Sequence, residues 1–129
     1  MESPSRGIIL DSSVWVAFLH ATDSQHEQAL QVLDQIRAAI IVPEYVLGEV
    51  ATILKRRKKA DVAKRFVRRV LTEETQSFLP ADTLVEETAT LFCARTDSLS
   101  FTDTALLVLA KKYRVITFDR DLEKAIDQE

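Results

Sequence analysis

Gly7-Ile8-Ile9-Leu10-Asp11-Ser12-Ser13-Val14-Trp15-Val16-Ala17-Phe18-Leu19 sets a pattern that the rest of the chain repeats. An apolar run from Gly7 to Leu10 stops at a carboxylate, and two serines then open a segment that is apolar on nearly every side. A short apolar run predicts a strand buried on both faces, and the all-round apolar segment behind it predicts a buried helix. Working outward, Ala39-Ile40-Ile41-Val42, Gln76 to Leu79 and Arg114 to Phe118 predict three further short strands. Between them lie helical patterns. Residues 24–38 place Ala29, Leu33 and Ile36 near the helical period, and Pro43 suits the first turn of a helix reaching about Arg57. Residues 61–71 turn Val62, Phe66 and Val70 inward; residues 82–95 and 102–113 predict two more helices, and Asp119 to Ile126 a closing one. Short apolar strands alternating with helices predict an α/β fold, with a parallel sheet, right-handed crossovers and helices on both faces. In such open sheets a ligand site lies beyond the carboxyl ends of the strands, where Asp11 and Asp119 fall.

The bulk numbers bound the answer. A chain of 129 residues with 47% hydrophobic and 29% charged residues, 2 Gly and 3 Pro is expected to form a single domain, residues 1–129, with one core and much helix. No apolar run approaches the roughly 20 residues that span a bilayer. The start, Met-Glu-Ser-Pro-Ser-Arg-Gly, lacks the basic and then apolar segments of a signal peptide, so a cytoplasmic location and no membrane partner are expected. Cys93 is the only cysteine; Ala89, Leu91 and Phe92 around it suggest a small buried residue, not a catalytic thiol. With His20 and His26 as the only imidazoles, the chain lacks the ligands of a typical zinc site, and any bound metal should prefer oxygen.

Four acids stand where a solvated charge is least expected. Asp11 and Asp119 follow strands and would each cap the helix behind them, with Asp121 favourably placed near the last helix's N-terminal dipole. Asp103 lies three residues after Ser100, at capping-box spacing, with Leu106, Leu107 and Ala110 following on its own face. Glu49 caps nothing: it falls three residues after Val46 and four before Ile53, inside the stripe its helix would bury. Any one has an ordinary structural explanation. Gathered together, carboxylates repel and raise one another's pKa values unless a dication holds them ionised, and oxygen-only coordination completed by water is the habit of Mg²⁺, with Mn²⁺ as a substitute.

Charge is also concentrated elsewhere. Between Lys55 and Arg69, nine basic residues face one acid, Asp61; the segment carries +8 and leaves −11 for the remainder of a chain of net charge −3. That is either a solvated helical face or a surface for a phosphate backbone.

Taken in order, the quoted residues resemble a known family. The strand ending in Asp11-Ser12, then Val42-Pro43 leading to Glu49-Val50, then Leu99-Ser100-Phe101-Thr102-Asp103-Thr104-Ala105, and finally Ile116-Thr117-Phe118-Asp119-Arg120-Asp121-Leu122 resemble a PIN-domain ribonuclease. In size the chain is similar to the VapC toxins of toxin-antitoxin pairs. The resemblance implies a three-layer fold, a short parallel sheet of four to five strands flanked by helices. It implies that Asp11, Glu49 and Asp103 are the core acids and Asp119 the fourth, with Asp121 able to share or replace that role. By the same resemblance, Thr117 would position a water, and Lys55, Arg56, Arg57, Lys64, Arg65 and Arg68 are candidates to guide RNA or to meet a partner. The implied activity is Mg²⁺-dependent hydrolysis of an RNA phosphodiester, in which a water of lowered pKa attacks phosphorus and no protein nucleophile is needed. A homodimer and a cognate antitoxin filling the cleft are implied as well. Trp15, Phe18 and Tyr45 suit the core better than base stacking.

The competing readings are a PIN nuclease of RNA processing outside any toxin pair and a non-catalytic PIN-like interaction domain. A phosphoacceptor receiver domain needs two acids after the first strand, where only Asp11 stands, and a Lys near the end of the last strand, which is missing. A nucleotide-binding module needs a glycine-rich loop, and Gly7 and Gly48 are far apart.

Overall fold

The first strand, β1, spans Ile8–Leu10, and all three of its side chains are buried. Successive strand residues point to opposite faces, so three consecutive buried residues require cover on both sides of the sheet. A computed structural model describes residues 6–73 and 76–128; the first five residues of the start that was read for a signal segment lie outside them. Four parallel strands form the sheet in the order β3-β2-β1-β4, with β2 at Ile40–Pro43, β3 at Gln76–Leu79 and β4 at Arg114–Ile116. Ile8 pairs with Ile40 on one side and with Arg114 on the other. The chain builds the sheet outward from β1 through β2 to β3, then returns to place β4 on β1's free side. That reversal leaves a crevice at the carboxyl ends of β1 and β4, the position at which open α/β sheets bind ligands.

Helices fill the connections: α1 (Ser12–Leu19), α2 (His26–Asp34), α3 (Glu44–Arg56), α4 (Ala60–Thr72), α5 (Val85–Ala94), α6 (Phe101–Leu109) and α7 (Arg120–Gln128). The core joins β1 to Val14 and Trp15 of α1, Val46, Val50 and Leu54 of α3, Phe66 and Val70 of α4 and Leu106 of α6. Trp15 is almost fully enclosed, its ring 5.0 Å from that of Phe66, so it serves the core as expected. Among the described residues no helix is long and apolar enough to cross a membrane.

Several boundaries differ from expectation for local reasons. α2 begins at His26, not residue 24, because Asp23 Oδ1 accepts the Gln25 N–H at 2.9 Å and holds a turn ahead of the helix. Pro43 ends β2 and is the N-cap of α3, one residue outside the helix. β4 stops at Ile116, not Phe118, since the Phe118 N–H leaves the ladder to donate to Ser13 Oγ at 3.1 Å. A 3₁₀ turn at Ala81–Thr83 precedes α5 where one helix is expected. Cys93 is exposed, not buried. Leu84 and Thr88 take the inward positions ahead of and within α5, and that register turns Phe92 and Cys93 outward.

Candidate functional site

Asp11 follows the last residue of β1 and caps α1. Its side chain is buried, which is costly for a carboxylate unless donors compensate. Three do: Oδ1 accepts the Ser12 N–H at 2.7 Å, and Oδ2 accepts from Ser13 Oγ at 2.9 Å and from Thr117 Oγ1 at 2.8 Å. Thr117 thereby bridges the ends of β1 and β4, because its oxygen also accepts the Asp119 N–H at 2.9 Å. Asp119 in turn starts α7, with Oδ1 accepting the N–H groups of Asp121 at 2.9 Å and Leu122 at 3.2 Å. This part of the site is a continuous chain of hydrogen bonds from Ser12 through Asp11 and Thr117 to α7. The proton of Thr117 is committed to Asp11, so its hydroxyl orients two acidic segments.

Two further acids come from helices. Glu49 is half-buried on α3 beside the buried stripe Val46-Val50-Leu54, and its Oε1 accepts from Ser12 Oγ. Asp103 lies in the first turn of α6 in a reciprocal capping box: its N–H donates to Ser100 Oγ at 3.0 Å, and its Oδ2 accepts the Ser100 N–H at 3.3 Å. Burial pushes the Glu49 carboxyl above its ordinary range, the Ser12 hydrogen bond offsets part of this, and the charges of Asp11 and Asp103 add to the rise. The same holds for Asp103: burial raises it, the Ser100 bonds oppose, and Asp11 and Asp119 push it further up.

Asp11, Glu49, Asp103 and Asp119 line one cleft of about 350 Å³, together with Ser12, Ser13 and Ser100. Asp121 is exposed in the first turn of α7 and does not line it. Of the expected RNA-guiding cations, Arg57 alone lines this cleft; Arg56 lines a neighbouring groove that shares Glu49 and Ile53, Arg65 a third groove against Trp15 and Phe18, and Lys55, Lys64 and Arg68 are exposed elsewhere. Ser13 and Asp23 are cleft residues that sequence reasoning did not single out. The serine pair directly behind a strand-ending Asp was the available signal for Ser13. Arg57 and Asp23 stand 34 positions apart, and no local pattern announces their ion pair.

The residues present fit a divalent cation. The donors are oxygens only, and the two raised carboxyls show that the protein's own groups leave their negative charge incompletely compensated. Among the described residues, no three His, Cys, Asp or Glu side chains converge closely enough to enclose an ion directly. Waters would complete its shell, as they do for Mg²⁺.

The sequence profile of the PIN domain matches residues 8–127. The chain belongs to the PIN domain family. Among solved structures, this PIN domain is similar to Mycobacterium tuberculosis VapC20, described as a sarcin-ricin loop cleaving toxin, with a TM-score of 0.80, 26% identity, and coverage of 92% of this chain and 94% of that one. It shares its fold with PAE2754 from Pyrobaculum aerophilum, with a TM-score of 0.56 at 15% identity, covering 95% of this chain and 85% of the other. A comparison with curated protein sequences gave no match.

Proposed function

We propose that this PIN domain is a divalent-metal-dependent endoribonuclease of the VapC toxin type, with Mg²⁺ as its ion and Mn²⁺ as a substitute. The observation that carries this is the convergence of four carboxylates from four separate segments on one cleft at the switch point of a parallel sheet. Asp11, Glu49, Asp103 and Asp119 would hold the ion, directly or through water. When bound, such an ion lowers the pKa of water and offsets charge on phosphoryl oxygens.

The chain's own groups prepare that chemistry. Ser12, Ser13 and Thr117 fix both oxygens of Asp11, so it meets a cation without rearranging. Ser12 also holds Glu49, and Ser100 holds Asp103. No His or Cys lines the cleft, so its serines lack an imidazole to activate them as nucleophiles. Likeness to VapC20 over 92% of the chain supports an RNA substrate and, for a toxin, a cognate antitoxin; the homodimer rests on the family resemblance alone. A sarcin-ricin loop oligonucleotide, the target named for that relative, is the first substrate to try.

The test is cleavage of that oligonucleotide and of a long structured RNA by purified protein, with Mg²⁺ or Mn²⁺, with chelator, and with Asp11→Asn. Loss of cleavage under both chelator and mutation is expected. Cleavage surviving the mutation, or a protein that binds Mn²⁺ in calorimetry yet cuts neither RNA, would count against a nuclease of this class.

A further inference from the structure

Among the described residues the cleft wall carries five carboxylates, the four above and Asp23, against a single guanidinium, that of Arg57. An RNA strand brings one negative charge per phosphate to that wall, so, beside the proposed ion, the position and freedom of this cation bear on how tightly the strand is held there.

Arg57 is placed with unusual care. It is the C-cap of α3, and the helix closes in a Schellman pattern: the Lys58 N–H donates to Lys55 O at 3.0 Å and the Lys59 N–H to Leu54 O at 2.8 Å. Such a turn puts the next residue in the left-handed region, usually a glycine's place, yet here Lys58 occupies it with φ 61°. The side chain is then anchored from the α1–α2 loop. Asp23 Oδ1 is held by the Gln25 N–H, and Oδ2 takes Arg57 Nη1 at 2.7 Å. Asp23 is 13% exposed and Arg57 44%, so the anchor is sheltered while the cation stays reachable. One of five guanidinium donors is engaged by Asp23; no other bond to Arg57's side chain is formed among the described residues.

We propose that Arg57 binds an RNA backbone phosphate at the cleft wall beside the four acids, with Asp23 as the positioning residue that holds it there. This rests on reading the cleft as RNA-cleaving and assigns the cleft's substrate grip to one of the chain's many cations. The guanidinium fork suits a phosphate's paired oxygens, which an ammonium would meet only as a point charge.

The test is equilibrium binding of a short single-stranded RNA in Mg²⁺ across a range of salt, with the full chain in an Asp103→Asn background that stops turnover. Arg57→Gln should weaken binding about tenfold or more and lower the slope of log affinity against log salt by about 0.7. Arg57→Lys should lose affinity with the slope kept, while Lys124→Gln, on the exposed side of α7, should change affinity by less than about twofold. Should Arg57→Gln not fold, Arg57→Lys carries the same decision. Wild-type affinity in the Arg57 variants, or an unchanged slope in Arg57→Gln, would overturn the proposal, as would a background protein that binds no RNA. Cleavage by the unmodified chain is scored separately. Cleavage with an indifferent Arg57 removes this inference alone, and lost binding in Arg57→Gln without any cleavage by the parent chain removes the nuclease and keeps the grip.

Discussion

The floor and the rim of the cleft solve the same electrostatic problem in opposite ways. On the floor, where β1 and β4 end, Asp11 is buried but met by three donors, two of them hydroxyls from Ser13 and Thr117. On the rim, Glu49 and Asp103 each meet fewer donors, and burial together with neighbouring carboxylates raises both. The floor is finished by the protein itself; the rim is left for the proposed cation to finish. One cleft therefore holds acids that stabilise the fold and acids that burden it.

The sharpest way to break this contrast is to remove the floor acid. Asp11→Ala orphans three donors in a buried place and should cost about 3 kcal/mol in urea unfolding, besides abolishing cleavage. Asp11→Ala as stable as the parent would show that the floor is not built as described. Next in size, Thr117→Val cuts the link between Asp11 and the Asp119 N–H, for an expected loss of about 1–2 kcal/mol and a 10- to 100-fold fall in cleavage or Mn²⁺ affinity. Thr117→Ser should restore most of both. On the rim the sign reverses: Glu49→Gln keeps an oxygen for Ser12 and deletes a poorly compensated charge. The metal-free protein should then melt at the same temperature or slightly higher, while calorimetric Mn²⁺ binding weakens. A lower melting point without metal would make Glu49 a floor-type residue.

The smallest effect is in pH. Because the folded-state pKa values of Glu49 and Asp103 are raised, the folded protein takes up their protons before the unfolded chain does. Their contribution is present below the ordinary carboxylate range and is lost as pH rises through the raised values. Melting temperature of metal-free protein, compared with an Asp103→Asn and Glu49→Gln double variant, should show this slope in the parent only. Saturating Mn²⁺ should flatten or reverse it, since the ion prefers the ionised pair. Asp23 acts in the other direction. Burial alone would raise it, but the Gln25 N–H and Arg57 together leave it lowered, so its contribution is lost as pH falls through the depressed value.

What could be read in the sequence follows the range of the interactions involved. β3 was legible to the residue, at Gln76–Leu79, and the capping box of Ser100 and Asp103 was legible from its three-residue spacing, because strand runs and caps are local patterns. The convergence of the acids was arguable from the strand-end positions of Asp11 and Asp119, and harder from Glu49, visible only as a charge inside an apolar stripe. Cys93 misled because Leu91-Phe92-Cys93-Ala94 is apolar in sequence, while the register of α5 is decided by Leu84 and Thr88. The Arg57 and Asp23 pair had no signature at all. Nine cations in one segment look alike until the end of α3 turns one of them into the cleft.

The pairing of β1 with β4 also fixes a time. Ile8 lies beside Arg114, and Asp11 shares a hydrogen bond with Thr117, 106 positions later. A ribosome adding about 5–20 residues per second delivers β1, β2 and β3 well before β4 exists. Until then Asp11 lacks the Thr117 hydroxyl, Asp119 is unmade, and the cleft has no far wall. On the proposed reading the cleft that would cut RNA is incomplete until β4 docks, so any activity would arrive as one late event after most of the chain has been made.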